Sequence, residues 1–191
     1  MRALVTGGAK RLGREISVYL ANRGYDVAVH YNSSKNEALD VAKEINSQGR
    51  LSECLKCDLL IEDQVKALVP LASEALGGPI SMLVNNASIF EHDSFDDATR
   101  ASWDRHMESN LRAPFVLTQA FSKQSPSPIL DKKNEPISQG LVLNMIDQRV
   151  KKLTPDFASY TIAKMGLWAM TQTAARALAP NIRVNAIGPG P

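Results

Sequence analysis

Short apolar runs alternate with amphipathic stretches along this chain, and the alternation predicts the fold. Ala3-Leu4-Val5 is a continuous apolar run of the kind that forms a strand buried on both faces. A helix is expected next, with Ile16, Val18 and Leu20 set among polar residues, ending at Arg23-Gly24 where glycine can cap it. Residues 25–31 predict a second strand, and Asn32-Ser33-Ser34 supplies capping side chains for a helix over 34–46. A third strand ends at Asp58, and a helix over 61–76 is closed by Gly77-Gly78-Pro79. Residues 81–85 are the fourth strand.

Further along, an acidic loop runs through Asp97 to a long helix over 101–122, bent or interrupted near Pro114. Residues 123–138 are polar, contain Pro126, Pro128 and Pro136, and read as a surface loop. Residues 140–146 are a fifth strand, 157–178 a second long helix ended by Pro180, and 182–187 a sixth strand before Gly188-Pro189-Gly190-Pro191. Strands that alternate with helices require a parallel sheet with right-handed crossovers. Ligands of such sheets sit at the carboxyl ends of the strands, where the strand order reverses.

Composition adds exclusions. The 191 residues are enough for one domain burying roughly 70% of its unfolded surface. A formal charge of +2 argues against a strong electrostatic claim on nucleic acid or membrane. No apolar run approaches the ~20 residues needed to cross a bilayer. The first strand starts at residue 2, which leaves no room for a signal peptide ahead of it, so a cytoplasmic setting is the expectation. Cys54 and Cys57 have C-x-x-C spacing, but His30, His92 and His106 are distant in sequence. A strand points thiols three apart to opposite faces, so two reduced thiols with packing roles are expected and no metal site.

Candidate chemistry starts in the first turn. Gly7, Gly8 and Gly13 between a strand and a helix make a tight turn whose free amides and helix dipole favour a phosphate. Tyr160 and Lys164 lie four apart and project from one helix face. An ammonium there would lower the phenol's pKa and make Tyr160 a proton donor to a reducible C=O or C=N bond. Asp147 sits just past the fifth strand, 13 residues before Tyr160. Asn110 falls mid-helix, where its propensity is poor.

In this order, Thr6-Gly7 with Gly13, Asp58, Asn85-Asn86-Ala87, Asn110, Tyr160-x-x-x-Lys164, Arg183-Val184-Asn185 and Pro189-Gly190 resemble the short-chain dehydrogenase/reductase family over essentially the whole chain. The resemblance implies a Rossmann-type doubly wound α/β sheet in three layers, strand order 3-2-1-4-5-6, as one NAD(P)-binding domain over 1–191. It also implies a further segment after Pro191, with a substrate lid and a final strand, and a homodimer or homotetramer. The reaction implied is NAD(P)-dependent hydride transfer to a small molecule. Tyr160 would be the acid, Lys164 would hold the nicotinamide ribose and tune Tyr160, and Asn110 would support a proton-relay water. The cofactor-binding set would be Gly7, Lys10, Arg11, Leu12, Tyr31, Asn32, Ser33, Ser34, Asp58, Leu59, Asn86, Ala87, Ser88, Met145, Tyr160, Lys164, Pro189 and Gly190.

Three departures narrow the branch. Arg11 stands where the second glycine is usual, Asp147 where serine is usual, and Asn85-Asn86-Ala87 continues with Ser88 and Phe90. These look like the pteridine reductase branch, which includes bacterial dihydromonapterin or dihydrofolate reductases. A carboxyl group at Asp147 suits a heterocyclic nitrogen, and burial near Tyr160 could make it hold a proton. Phe90 could stack on a flat ring, and Arg11 could bridge cofactor phosphate and substrate oxygen. The substrate set is therefore Arg11, Phe90, Asp147 and Tyr160. The end of the second strand lacks the acid that NAD-specific sites use for ribose, which favours NADPH, with Lys35 or Arg11 available to its 2′-phosphate. The alternatives are a 3-oxoacyl or other ketone reductase, or a non-catalytic NADPH-binding protein.

Overall fold

In the computed structural model, which describes residues 1–190, six parallel strands form one sheet flanked by helices on both faces. The elements in order are β1 (Arg2–Val5), α1 (Arg11–Asn22), β2 (Asp26–Tyr31), α2 (Lys35–Ser47), β3 (Ser52–Lys56), α3 (Glu62–Ala75) and β4 (Met82–Asn85). After them come α4 (Arg100–Met107), α5 (Ala113–Gln124), β5 (Ile129–Leu130), β6 (Pro136–Ile137), β7 (Gly140–Met145), α6 (Ala158–Leu178) and β8 (Ile182–Ile187). The main sheet runs β3-β2-β1-β4-β7-β8. Numbered among the sheet strands alone, that is the expected 3-2-1-4-5-6.

Strand alternation builds the three layers. Leu4, Ala28 and Leu83 point to one face and pack with Val65, Leu68 and Val69 of α3 and Val116, Leu117 and Phe121 of α5. Their neighbours Ala3, Val5, Val27, Val29 and Val84 point to the other face and meet Leu20 of α1 and Val41 and Ile45 of α2. Both faces of the central strands are thus apolar, as the unbroken apolar runs predict. The order reverses between β1 and β4, whose registers pair Val5 with Val29 on one side and with Val84 on the other. That reversal opens the crevice in which the site lies.

The structure corrects the sequence reading in two places and gives a third its detail. The expected loop over 123–138 contains a short hairpin, β5 paired with β6, turned by Asp131, whose Oδ1 accepts the Lys133 and Glu135 amides. The long helix expected over 101–122 is present, helical without a gap from Arg100 to Gln124, and the expected irregularity near Pro114 is a π turn. It starts at Arg100 behind a Thr99–Ser102 capping box, passes through a π turn, Glu108–Arg112, and resumes as α5. The π turn directly precedes Pro114, which has no N–H to donate into the helix ladder. Helix α6 begins one residue later than expected because Phe157 is left-handed, with φ +59°. Cys54 and Cys57 are free, packed on opposite faces of the sheet, with both thiols pushed up by burial, Cys57 to about 11. No described helix is long and apolar enough to cross a membrane, and no group of three metal-type ligands occurs among the described residues.

Candidate active site

A groove of about 500 Å³ follows the carboxyl ends of β1 to β4. Gly7, Lys10, Arg11, Leu12, Asn32, Asp58, Leu59, Asn86, Ala87 and Ser88 of the expected set all line it. Its size suits a small-molecule ligand. Gly13 marks the closest backbone approach. A Cβ there would lie 2.0 Å from the Gly7 carbonyl oxygen and 2.6 Å from Asn86 Nδ2. Asn86 Nδ2 donates to the carbonyls of Thr6 and Gly7, and Thr6 Oγ1 accepts the amides of Asn86 and Ala87, which ties the β1 and β4 ends together.

The glycine turn differs from the expectation of free outward amides. The Gly7 N–H donates to His30 Nδ1 at 2.9 Å and the Gly8 N–H to the His30 carbonyl at 3.0 Å. Buried His30 donates from Nε2 to the Cys57 carbonyl at 3.0 Å, and burial pushes its imidazole down, so it stays neutral. The amides left for an anion are those opening α1, which no helix satisfies internally. Arg11, the first residue of α1, has φ +50°, a conformation that costs a side chain about 1–3 kcal/mol. Arg11 thus holds a left-handed conformation that glycine adopts without strain, and it brings a cation to the groove. Lys10 pairs with Glu37 of α2 at 2.6 Å.

Tyr160, Lys164 and Asp147 form a second cluster outside that groove. Tyr160 Oη donates to Asp147 Oδ2 at 2.9 Å. Asp147 Oδ1 accepts the Arg149 amide at 2.8 Å, which fixes the carboxylate. Lys164 is 3% exposed and its Nζ donates to the Met145 carbonyl at 2.8 Å. Burial pushes Lys164 down to about 8. Tyr160 moves against expectation. Its ammonium neighbour is 5.7 Å from the ring centroid, while burial and the Asp147 carboxylate push the phenol above its usual value. Tyr160 is therefore protonated at neutral pH, the state that an acid needs.

Phe90 faces the phenol ring edge-on at 4.7 Å and stacks on Phe157 at 4.2 Å and 9°. Arg149 lies beside this stack, 4.7 Å from the Phe157 centroid and 5.8 Å from that of Phe90. Asn110 lies in the π turn, and both ends of its carboxamide bond to the Ile89 backbone at 2.9 Å, so its side chain clamps the segment after β4. Met145 ends β7 and pairs in register with Ile187 of β8, after which Pro189 and Gly190 follow. Tyr31 is buried at the end of β2, and Ser33 and Ser34 lead into α2 without lining the groove. Sequence reasoning missed Phe157, Arg149, His30, Asp93, Ser159 and His106. His30, Asp93, Ser159 and His106 carry no local signal, because each acts through a partner distant in sequence.

The chain as a whole has counterparts among known proteins. The short chain dehydrogenase profile matches residues 1–191. A 3-oxoacyl-[acyl-carrier-protein] reductase FabG from Staphylococcus epidermidis is 33% identical over 98% of this chain and 73% of its own length. The crystal structure of FolM Alternative dihydrofolate reductase 1 from Brucella canis, complexed with NADP, is 45% identical with a TM-score of 0.89, covering 99% of this chain and 72% of that one. A short chain dehydrogenase from Burkholderia cenocepacia in complex with NADP is 32% identical, with a TM-score of 0.89 over 99% of this chain and 73% of its own.

Proposed function

The chain belongs to the short-chain dehydrogenase family, and on that premise we propose that it is an NADPH-dependent reductase of a dihydropterin or related heterocycle. The observation that carries this reading is the Tyr160–Asp147 hydrogen bond, with a carboxylate where a carbonyl-directed site would use a hydroxyl. A carboxyl group can hydrogen-bond a heterocyclic nitrogen that a serine serves less well. FolM Alternative dihydrofolate reductase 1, at 45% identity, supports the same choice.

The residues present fit a dinucleotide. The Gly13 approach brings the α1 amides to the groove, Arg11 supplies a cation beside the Glu37-paired Lys10, and β2 runs directly into Asn32-Ser33-Ser34 with no acid at its end. Gly7, Leu12, Asn86, Ala87 and Ser88 would hold the phosphates and the adjoining ribose. Asn32, Ser33 and Ser34 would take the 2′-phosphate, with Asp58, Leu59 and Tyr31 at the base end. Met145, Lys164, Pro189 and Gly190 would take the nicotinamide end. NADPH, when bound, supplies the hydride. Tyr160 gives its phenolic proton to the substrate nitrogen, and Lys164 stabilises the phenolate left behind. Asp147 orients the phenol and the ring nitrogen, Phe90 offers a flat apolar face, and Arg11 reaches a substrate oxygen beside the phosphates.

NADPH oxidation measured side by side with dihydrobiopterin, dihydrofolate and acetoacetyl thioester tests this. Turnover of at least one pterin is expected, with NADPH preferred over NADH by KM. Turnover of the thioester alone favours the 3-oxoacyl reductase reading, which the 33% identity to FabG supports, and sinks the lead.

On this reading the protein is also a homodimer or homotetramer. Leu111, Phe115, Met170, Ala174 and Leu178 of the π turn, α5 and α6 line an apolar cleft of about 610 Å³ whose partner would be a second copy. Light scattering at micromolar concentration should give at least a dimer, and a monomer alone refutes it.

A further inference from the structure

Asp93 lies between β4 and α4 and is 2% exposed, a position a carboxylate rarely occupies without strong partners. Its partners are on α6, 66 residues away. Oδ1 accepts the Ser159 amide at 3.1 Å, Oδ2 accepts the Ser159 hydroxyl, and the Asp93 carbonyl accepts the Ala158 amide at 3.1 Å. These are the first two amides of α6. The helix's own capping position, Phe157, is left-handed and makes no side-chain bond. Helix α6 is therefore capped by a remote loop.

A third element joins through His106 of α4, which is fully buried. His106 Nε2 accepts the Glu91 amide at 3.1 Å, and Nδ1 is 2.6 Å from Ser159 Oγ. A backbone N–H can only donate, so Nε2 is the bare nitrogen and Nδ1 carries the proton. Ser159 Oγ must accept that proton, and its own hydrogen goes to Asp93. Each hydrogen in the chain from Glu91 through His106 and Ser159 is thus assigned, and the chain ends on a carboxylate. Burial pushes His106 down and keeps it neutral. Burial would raise Asp93, but the bonds from Ser159, together with Ser102 and the nearby His106, outweigh it and hold the carboxyl below its usual range.

The residue after Ser159 is Tyr160. Its ring meets His106 edge-on at 5.9 Å and Phe90 at 4.7 Å, and Phe90 shares a loop with Asp93. We propose that Asp93, acting through Ser159 and His106, is a positioning residue for Tyr160, locking the first turn of α6 to the β4–α4 loop and to α4. The phenol, Asp147 and Phe90 then keep one mutual geometry. This rests on the reading of Tyr160 as the acid.

The fixed direction of the hydrogen bonds provides the test. Whichever way an amide at position 93 is turned, one of the two Ser159 donors loses its acceptor. Ser159→Ala removes the hydroxyl and Ser159→Thr keeps it. We would compare Asp93→Asn, Ser159→Ala, Ser159→Thr and Tyr160→Phe. The readouts are kcat at saturating NADPH, the NADPH dissociation constant, and amide hydrogen exchange of residues 156–164 without cofactor. Asp93→Asn and Ser159→Ala should lower kcat about tenfold or more through misplacement of the phenol. Their NADPH dissociation constants should stay within about twofold, since the groove is untouched. Exchange of the first-turn amides should quicken. Ser159→Thr should restore both rate and protection. Should Asp93→Asn fail to fold, the two Ser159 variants decide. Unchanged exchange in Ser159→Ala overturns the proposal, and so does a Ser159→Thr enzyme as impaired as Ser159→Ala, which would mean that shape matters and the hydroxyl does not. An inactive Tyr160→Phe beside a fully active Ser159→Ala overturns this proposal alone. A fully active Tyr160→Phe overturns the assignment of the acid, and the exchange data then judge the cap.

Discussion

Replacing Tyr160 by phenylalanine should lower kcat by roughly a hundredfold to ten-thousandfold, the range for losing a positioned general acid. The substitution removes one oxygen, with its proton and its 2.9 Å bond to Asp147, and leaves the ring in place. The edge-on contacts with Phe90 and His106 depend on the ring alone, so α6 should keep its position. NADPH affinity should change far less than kcat, because the groove lined by Gly7, Arg11 and Asn86 is untouched and Lys164 is kept at the nicotinamide end. Fluorescence titration with NADPH and steady-state turnover of a dihydropterin separate the two effects. An undiminished kcat removes Tyr160 from its role.

The second large effect is expected from Gly13→Ala, and it acts by sterics. The added Cβ would sit 2.0 Å from the Gly7 carbonyl oxygen and 2.8 Å from the Gly7 carbonyl carbon. Those are backbone atoms of a turn with φ +61° at Gly7, and that turn is held by the His30 ring. No side chain can swing aside, so the turn itself must shift. Asn86 Nδ2, 2.6 Å from the same Cβ, would lose its bonds to Thr6 and Gly7 and with them the β1–β4 link. Overpacking of this kind costs about 3 kcal/mol. In a chain of this size that is roughly a 10 °C fall in thermal midpoint. Calorimetry and NADPH titration read it out. A midpoint within about 2 °C of the unmodified protein, with intact NADPH affinity, would show that the turn yields cheaply.

Sequence alone determined the architecture. The runs Ala3-Leu4-Val5 and Met82-Leu83-Val84 carry their own burial signal, because a central parallel strand is apolar on both faces. The glycine turn and the Tyr160–Lys164 spacing were legible because helix geometry converts a spacing of four into one face. The direction in which the Tyr160 pKa moves was not legible. An ammonium four residues away predicts a lowered phenol, but burial and Asp147 outweigh it. Depth and a carboxylate brought from another element are properties of packing. The same limit hid the π turn at Asn110, the stacking of Phe157 on Phe90, and the His30 bond that takes the Gly7 amide. Asp93 marks the boundary most clearly. In sequence it is one acid in an acidic loop. Only the folded chain brings its carboxylate to the unsatisfied amides of α6, because a helix end accepts whichever acceptor the tertiary structure delivers.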